Sequence, residues 1–536
     1  MVEIFSNPLT WLLLLPVLGA GFTLLVPEKP ARWVALVFAA GTFALTLGMF
    51  FYVLGQGQGL LGFGNLSSPH FRIDVSWIHF QAGNLQFNID YNLGVDGLSL
   101  PMVILNGLLT MLAIIGGWKK NRVREYMALI LLLESGVMGV FITLDLFLFF
   151  LFWEVELAPM FLLIGIWGSD TIKHGVPGRV YSAWKFLLYT FFGSIFMFAG
   201  ILLVYFMVGN TTHVYSASML YLSQHLVGGT ISFLGITMGA QLLIFLLIFT
   251  AFAIKIPMFP FHTWLPDAHT DAPTEVSVIL AGVLLKMGAY GLIRVCLSIA
   301  PLGMQAFAPW MAVIAAINIL YGAAICLVQK DMKKLIAYSS VSHMGIILLG
   351  VAAAASGFGG PDFRILALTG ATVQMFSHGL ISGMLFFSVG VIYDHAHTRE
   401  IKVFGGVAKR MPLLATLFTF AGLASLGLPG LAGFIPEYMT FTSSYASWPV
   451  VTIISVFTMI LTASYLLWML KRVFYGPFNI KWNWLLDANF REALPLVVLA
   501  VLIVVVGVYP ALLIDVITPT LQAVMHGLTH VVVAIR

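Results

Sequence analysis

The chain of 536 residues is 60% hydrophobic and only 9% charged, and its mean hydropathy is +0.99. Soluble domains carry about 25% charged residues, so this composition excludes a soluble protein and indicates a membrane protein that crosses the bilayer many times. The formal net charge of +4 is explained by basic residues in the loops, and it gives no support for nucleic-acid binding.

Apolar segments of about 20 residues, the length that crosses a bilayer as a helix, recur along the chain. They predict an all-α, polytopic membrane protein with about fourteen transmembrane helices, since the strands of a membrane barrel would be about half as long. The start, MVEIFSNP, lacks the basic residues of a signal peptide, so the first segment is expected to be retained. The predicted spans are 9–26, 33–54, 98–117, 126–143, 145–168, 184–208, 236–261, 274–297, 308–328, 334–354, 368–392, 412–443, 449–470 and 494–514.

Lysine and arginine are distributed unequally between the two sides of the predicted bundle. The loops that follow odd-numbered spans carry twenty of them, whereas the opposite side carries four. We call the first side the basic face. The positive-inside rule makes the basic face cytoplasmic and puts both termini on the outer side.

Two spans are interrupted by proline and glycine. Span 7 contains FAIKIPMFPFHTWLPDAH, and span 12 contains SLGLPGLAGFIPEYM, which ends beside Glu437. Irregular backbone at membrane depth is tolerated only where protein or water satisfies it, so we expect Lys255 and His262 to lie beside water. The broken spans are five spans apart, an odd number, which predicts two inverted repeats. The predicted division is three N-terminal spans with an outer loop (1–125), a first five-helix repeat (126–300), a second, inverted repeat (301–475), and a last span with its tail (476–536).

Histidine aside, six ionisable side chains lie away from the ends of predicted spans, where each costs about 2.5–3.5 kcal/mol on insertion scales. Folding does not require them, whereas a proton or ion path does. The two glutamates of span 5 are two residues apart, about 200° around a helix, so at most one is expected to line a given path. A purely structural ion pair is the alternative for Glu154 and Lys255, and a contact with a neighbouring helix or subunit is the alternative for Glu156. The six are Glu134, Glu154, Glu156, Lys255, Lys286 and Glu437.

Histidines, cysteines and one glycine-rich segment are the other candidates for functional sites. His343 and His378 fall inside spans 10 and 11, where two imidazoles can bridge water between charged sites. The two cysteines lie in spans and form no CxxC motif, so they predict no iron–sulfur, zinc or haem site. GQGLLG at 57–62 matches a nucleotide-binding spacing, but no strand precedes it, and we reject that interpretation.

Five stretches together resemble the antiporter-like subunit M (chain 4) family of respiratory complex I, the NADH–quinone oxidoreductase. They are FWEVELAPMFLLIGIWG, KIPMFPFHTWLPDAHTDAPTEVSVILAGVLLKMGAYGLIR, AYSSVSHMG, QMFSHGL and LPGLAGFIPEYM, and the resemblance extends over nearly the whole chain. It implies a fourteen-helix proton-pumping subunit with inverted five-helix repeats in the membrane arm of that complex. The chain would then be a subunit of a proton-translocating enzyme and would carry no redox centre itself.

The resemblance assigns proton translocation to Glu154, Lys255, Lys286 and Glu437. Lys255 would be the central carrier, Glu154 the partner that tunes it, and Glu437 the exit-side site. Sister subunits typically carry lysine at the last position, so the glutamate favours subunit M. Weaker assignments to the proton path are Glu134, His262, His343 and His378. The WExE pattern that includes Glu156 also occurs in cyanobacterial-type relatives, which leaves the electron donor open.

The resemblance implies no cofactor bound by this chain. NADH or ferredoxin, FMN, iron–sulfur clusters and quinone would belong to the wider complex. The implied partners are the antiporter-like subunits L and N, small helical subunits and the lipid bilayer, in a bacterial inner membrane or a thylakoid-type membrane. Three alternatives stay open: a Na⁺/H⁺ antiporter subunit of the multi-subunit cation type, a membrane subunit of a membrane-bound hydrogenase, and a structural scaffold that conducts nothing.

Overall fold

The computed structural model describes residues 2–53, 71–82, 85–233 and 236–535, and the GQGLLG segment at 57–62 lies outside them. Helices dominate the described chain. The fourteen spans are Pro8–Leu25, Glu28–Val53, Ser99–Gly116, Val123–Ile142, Leu146–Val155 with Leu157–Trp167, Gly178–Thr212, Ala240–Lys255 with Trp264–Asp271, Thr274–Ile299, Pro301–Val328, Met332–Ala355, Gly360–Ala396, Pro412–Ser425 with Phe434–Ser447, Pro449–Tyr475, and Phe490–Val508.

Every predicted span coincides with one of these helices, so the predicted all-α, polytopic fold is confirmed. Twelve helices in the described part of the chain are long and apolar enough to cross a membrane. The other two spans are 7 and 12, whose apolar halves, Ala240–Lys255 and Pro412–Ser425, are shorter because each helix is broken. The division of the chain at residues 125, 300 and 475 stays a prediction.

A β-hairpin occupies part of the interval between spans 2 and 3, where no strand was expected. Strands Arg72–Ala82 and Leu85–Gly94 pair antiparallel, with a register irregularity between Ser76 and Ile78. Alternating apolar residues in LQFNIDYNL carry the strand signal. The hairpin is tied to span 6, since the Tyr205 hydroxyl donates to the Gln86 carbonyl at 3.0 Å.

The remaining elements are short, apart from one long terminal helix. They are the helices Val2–Ser6, Met219–Gln224 and Ala511–Ile535, the strand pairs Ile172–Lys173 with Val176–Pro177 and Thr230–Phe233 with Ile236–Gly239, and single 3₁₀ turns at Gly117–Lys119, Phe261–Thr263, Ile401–Val403, Val407–Lys409 and Ile480–Trp482. The terminal helix packs into the bundle, and its Thr520 hydroxyl accepts the Gly97 N–H at 3.0 Å.

The break in span 7 is satisfied by protein groups. Pro257 and Pro260 have no N–H to donate, so the helix cannot continue past Lys255. The buried Asn318 of span 9 fills the gap: its amide nitrogen donates to the Pro257 carbonyl at 3.2 Å, and its oxygen accepts the Phe259 N–H at 2.7 Å. The Trp264 indole N–H donates to the carbonyl of Ile254, at 2.9 Å. A side chain of the second repeat therefore completes the backbone of the first.

The two other interruptions have different local causes. In span 5, Pro159 cannot donate to the Val155 carbonyl four residues earlier, and the helix is interrupted at Glu156. In span 12, Gly427 and Gly430 have φ angles of +79° and +89°, a conformation that side-chain-bearing residues rarely adopt. Both interruptions lie at membrane depth.

The breaks in spans 7 and 12 begin and end at corresponding positions. The first half of span 7 ends at Lys255 and the second begins at Trp264, whereas the matching positions of span 12 are Ser425 and Phe434. Lys255 and Ser425 are 170 residues apart in the sequence, and so are Trp264 and Phe434. The start of span 5 has its own counterpart, because Asp145 and Asp331 each accept two backbone N–H groups at the first turns of spans 5 and 10. These correspondences fit the predicted repeats, and the odd number of spans between them makes the repeats inverted.

The loops segregate into two faces as the basic residues predict. Ion pairs join the loops that follow spans 3, 5, 7, 9 and 11, all on the basic face: Lys120–Glu275 at 3.2 Å, Lys173–Asp271 at 2.7 Å and Arg399–Asp331 at 3.2 Å. The hairpin and the buried pair of Arg294 with Asp96, 2.6 Å apart, lie on the opposite face. Burial alone would lower the pKa of Lys120, but the carboxylates of Glu275 and Asp394 outweigh it and raise that pKa. Lys120 therefore stays protonated.

The Asp96–Arg294 pair predicts a strong dependence of stability on both partners. We expect Arg294→Met to lower the free energy of unfolding by about 3–5 kcal/mol, because it leaves a buried carboxylate without its cation. The control is Arg179→Met, which removes an ion pair whose aspartate, Asp170, is 72% exposed, and should change stability by about 1 kcal/mol or less. Thermal unfolding of the purified complex measures both, and equal effects would contradict the prediction.

Candidate functional site

The first charged site lies where spans 5, 6 and 7 meet. Lys255, at the last turn before the break in span 7, is fully buried, and its ammonium donates to the Glu156 carboxylate. The rings of Trp153 and Phe186 lie 5.4 and 5.5 Å from the ammonium nitrogen. The lysine is thus held by one carboxylate and two aromatic faces.

The residue in direct contact with Lys255 is Glu156, whereas the sequence analysis named Glu154 as the partner that tunes the lysine. Glu154 is half-buried and lies within electrostatic reach of Lys255, but it forms no direct ion pair with it, and its Oε1 has no hydrogen-bond partner among the described residues. Only one of the two glutamates contacts Lys255 directly, as their separation on span 5 predicts, and Glu156 lies at the interruption of that span. The translocation role predicted for Glu154 stays a prediction.

The second charged site begins at Lys286 in span 8. Two π-helical turns, Leu280–Leu284 and Leu292–Cys296, flank it, and such turns frequently occur at functional sites. The Lys286 ammonium donates to the Ala281 carbonyl and lies 2.8 Å from Nδ1 of His378 in span 11. No carboxylate appears among these contacts, so an imidazole and a carbonyl hold the amine in the bundle interior.

The site continues from His378 into the second repeat. The rings of His378 and His343 have their centroids 5.5 Å apart. His343 Nδ1 lies 3.2 Å from the Glu437 carboxylate, and its Nε2 lies 3.2 Å from the Ser425 hydroxyl. Four predicted residues therefore form one buried row, in the order Lys286, His378, His343 and Glu437.

A small cavity lies inside this row. Its volume of about 10 Å³ is close to what one water molecule requires. Its polar lining comes from His343, Gln374, His378, Ser425 and Glu437, and the Gln374 side-chain oxygen has no hydrogen-bond partner among the described residues. The cavity can complete the connection between the two imidazoles, whose rings are too far apart for a short direct hydrogen bond.

Two predicted residues are buried but stand outside the row. Neither carboxylate oxygen of Glu134 has a hydrogen-bond partner in the described structure, and its backbone carbonyl accepts the Asn106 amide at 3.1 Å. His262, 2% exposed, packs its ring 5.1 Å from that of Tyr321, with neither ring nitrogen bonded in the described part of the chain. Their assignment to the proton path stays a prediction.

Three further buried polar residues were missed. His269 is fully buried with both ring nitrogens unpartnered among the described residues, and it stacks on Phe386 at 4.6 Å. Lys333, assigned to a loop, is 3% exposed and donates to the Ala272 carbonyl at 2.5 Å. Glu275 accepts from the Tyr126 hydroxyl at 2.9 Å and borders a cavity of about 350 Å³ at the basic face. His269 and Glu275 belong to the segment HTDAPTE, residues 269–275, and Lys333 contacts it. The many polar residues of this segment, next to a predicted span, could have indicated a functional region.

The arrangement places four proton-exchanging groups in succession, with a cavity for one water beside the two imidazoles. Amine, imidazole and carboxylate each bind and release a proton, and none of the contacts in the row requires a metal or an organic cofactor. The first site, Lys255 with Glu156, and the row that begins at Lys286 stand on neighbouring spans. Such buried ionisable rows are typical of proton relays in membrane proteins.

Comparisons with known proteins identify the same family. The family described as NADH:quinone oxidoreductase/Mrp antiporter, TM matches residues 143–462. NADH-quinone oxidoreductase subunit M of Rhodobacter capsulatus is 40% identical over 506 residues, covering 93% of this chain and 91% of the relative. NAD(P)H-quinone oxidoreductase chain 4 1 of Synechococcus sp. (strain JA-3-3Ab) is 41% identical over 516 residues, 94% of this chain and 90% of the relative.

Solved structures agree on the fold. A chain of respiratory complex I from Thermus thermophilus with bound NADH superposes with a TM-score of 0.81 at 26% identity, covering 97% of this chain and 99% of that one. A chain of the Mrp complex from Dietzia sp. DQ12-45-1b has a TM-score of 0.79 at 19% identity, covering 100% and 99%, and this likeness concerns the fold alone. The resemblance drawn from the sequence is confirmed, and the chain belongs to the family of membrane subunits shared by NADH:quinone oxidoreductase and Mrp antiporters.

Proposed function

We propose that this chain is a proton-translocating subunit in the membrane arm of an NADH–quinone oxidoreductase of the complex I type. The single observation that carries the proposal is the buried row from Lys286 through His378 and His343 to Glu437. Its members come from spans 8, 10, 11 and 12, so it begins on the last span of the first predicted repeat and ends on the broken span of the second. The relatives' names support the same assignment.

Lys255 and Glu156 act as the switch of the first repeat. A buried lysine holds its proton strongly while a carboxylate is in contact and loses proton affinity when that carboxylate withdraws. Glu156 sits at the interruption of span 5, and Lys255 sits at the break of span 7, so both are carried by backbone that is not locked into a continuous helix. A small movement at either interruption separates the pair and releases the proton towards Lys286.

The wider assembly supplies the driving reaction. Redox energy from NADH or ferredoxin oxidation and quinone reduction, with FMN and iron–sulfur clusters, is released in other subunits. The partners in the membrane arm are the antiporter-like subunits L and N and small helical subunits. The basic face is cytoplasmic, both termini lie on the outer side, and the membrane is a bacterial inner membrane or a thylakoid-type membrane.

The proposal predicts a loss of pumping in Lys255→Ala. Removing the amine takes away the first proton carrier, and we expect proton transfer through this subunit to slow by about 100-fold or more. The measurement is proton uptake per electron by the purified complex in liposomes, together with electron transfer to quinone and a check of assembly. Undiminished pumping per electron in an assembled complex would contradict the role of Lys255.

The pairing of Lys255 with Glu156 predicts an energetic coupling. Double-mutant cycles with Lys255→Met should give a coupling energy of about 1–3 kcal/mol for Glu156→Gln and about 0.5 kcal/mol or less for Glu154→Gln. Thermal unfolding of the assembled complex supplies the free energies. Glu154 is the matched control, since it lies two residues away on the same span, and a larger coupling for it would reverse the assignment.

The chemistry of the row predicts that it carries protons and not Na⁺. Three of its four side chains present nitrogen, whereas hard cations such as Na⁺ prefer several oxygen ligands. Replacing Na⁺ by choline in the reconstituted system should leave charge translocation per electron unchanged. Loss of translocation on Na⁺ removal would favour the Na⁺/H⁺ antiporter alternative.

A further inference from the structure

We propose that Asp267, paired with Lys185, is the site at which the first repeat exchanges protons with water at the basic face. This inference rests on the proposed function and adds a residue to it. It comes from comparing the two broken spans, whose side chains correspond as well as their ends.

The second halves of the two broken spans begin with matching sequences. Span 7 resumes with WLPD, residues 264–267, and span 12 resumes with FIPE, residues 434–437. Each contains an aromatic residue, an aliphatic residue, a proline and an acid, and all four positions are separated by 170 residues. Asp267 is therefore the counterpart of Glu437, the acid that ends the row in the second repeat.

The inversion of the repeats places the two acids towards opposite faces. The second half of span 12 ends at Ser447, whose hydroxyl donates to Phe358 in the loop between spans 10 and 11, on the face opposite the basic one. The second half of span 7 ends at Asp271, which pairs with Lys173 on the basic face. If Glu437 exchanges protons with water on the face opposite the basic one, its counterpart Asp267 does so on the basic face.

Two lysines hold the Asp267 carboxylate at the basic face. One Asp267 oxygen lies 2.8 Å from the Lys185 ammonium, and the other lies 3.2 Å from that of Lys173. Glu437 likewise faces a titratable base, His343, from a neighbouring span. The Asp267 and Lys185 side chains are 21% and 19% exposed, so water reaches them, whereas the Glu156 carboxylate is fully buried.

An unpartnered imidazole lies on the inward side of this site. His262 precedes Asp267 by five residues and follows Lys255 by seven, inside the break of span 7. It is 2% exposed, and within the described residues neither of its ring nitrogens has a hydrogen-bond partner. A proton taken up at Asp267 thus has a buried acceptor next along the chain towards Lys255.

The test compares four variants of the intact, liposome-reconstituted complex for pumping per electron. We expect Asp267→Asn to slow proton transfer by about 100-fold and Asp267→Glu to retain it. The matched control, Asp170→Asn, removes an exposed aspartate of the same face and should pump normally. The double variant Asp267→Asn with Lys185→Gln, which leaves no unpaired charge from this contact, should remain deficient.

The outcomes separate this inference from the proposed function. Normal pumping by Asp267→Asn, or recovery in the double variant, overturns the role of Asp267, since it would then only balance the charge of Lys185. If Lys255→Ala is deficient in the same assay, the proposed function stands without this site. If Lys255→Ala also pumps normally, the proposed function itself fails.

A labelling measurement keeps the inference testable if Asp267→Asn does not assemble. The only two native cysteines, Cys296 and Cys326, are buried. In an Asp267→Cys variant, a membrane-impermeant maleimide added at the basic face should therefore label this chain at the introduced cysteine. Labelling from the opposite face, or a thiol that never reacts, would contradict a water-accessible site at this position.

Discussion

The hydrocarbon core of a membrane offers no hydrogen bonds, so every interruption of a helix and every charge inside it needs a partner from the protein or from trapped water. This constraint explains where the polar residues of the chain lie. Asn318 and Trp264 satisfy the break in span 7, and glycines with positive φ make the turn in span 12. The ionisable groups then collect at the same interruptions, where backbone irregularity leaves room for them. Structural irregularity and chemistry therefore occupy the same places.

The two repeats use this arrangement differently. In the first, a lysine at the end of the broken helix contacts a carboxylate on span 5. In the second, the corresponding position is Ser425, whose hydroxyl faces His343, and the acid lies beyond the break. Equivalent backbone thus supports an amine–carboxylate pair in one half and a hydroxyl–imidazole–carboxylate chain in the other. A strong ion pair suits a switch, whereas a graded set of weaker contacts suits a path along which a proton moves.

Much of the fold could be predicted from the sequence because hydropathy, basic loops and proline-rich breaks report directly on membrane crossing. The fourteen spans and the two broken helices follow from those signals. The β-hairpin was not predicted, because the alternation in LQFNIDYNL is short and averages out over the window of about 20 residues that detects membrane helices. The row of Lys286, His378, His343 and Glu437 was expected as separate residues; its order depends on packing between spans. The contact of Lys255 could not be predicted, because helical rotation says only that Glu154 and Glu156 face different ways, and which of them meets Lys255 depends on how spans 5 and 7 pack.

The contact of Asn318 with the break in span 7 has a mechanical consequence. One carboxamide from the second repeat holds a carbonyl and an N–H that lie on either side of Met258, so both hydrogen bonds must break together if span 9 shifts past span 7. Packed interfaces of this kind tend to have discrete alternative positions and not a continuum. A movement of span 9 relative to span 7 would therefore break both hydrogen bonds of Asn318 in one step, and the energy needed for that step depends on the two bonds together.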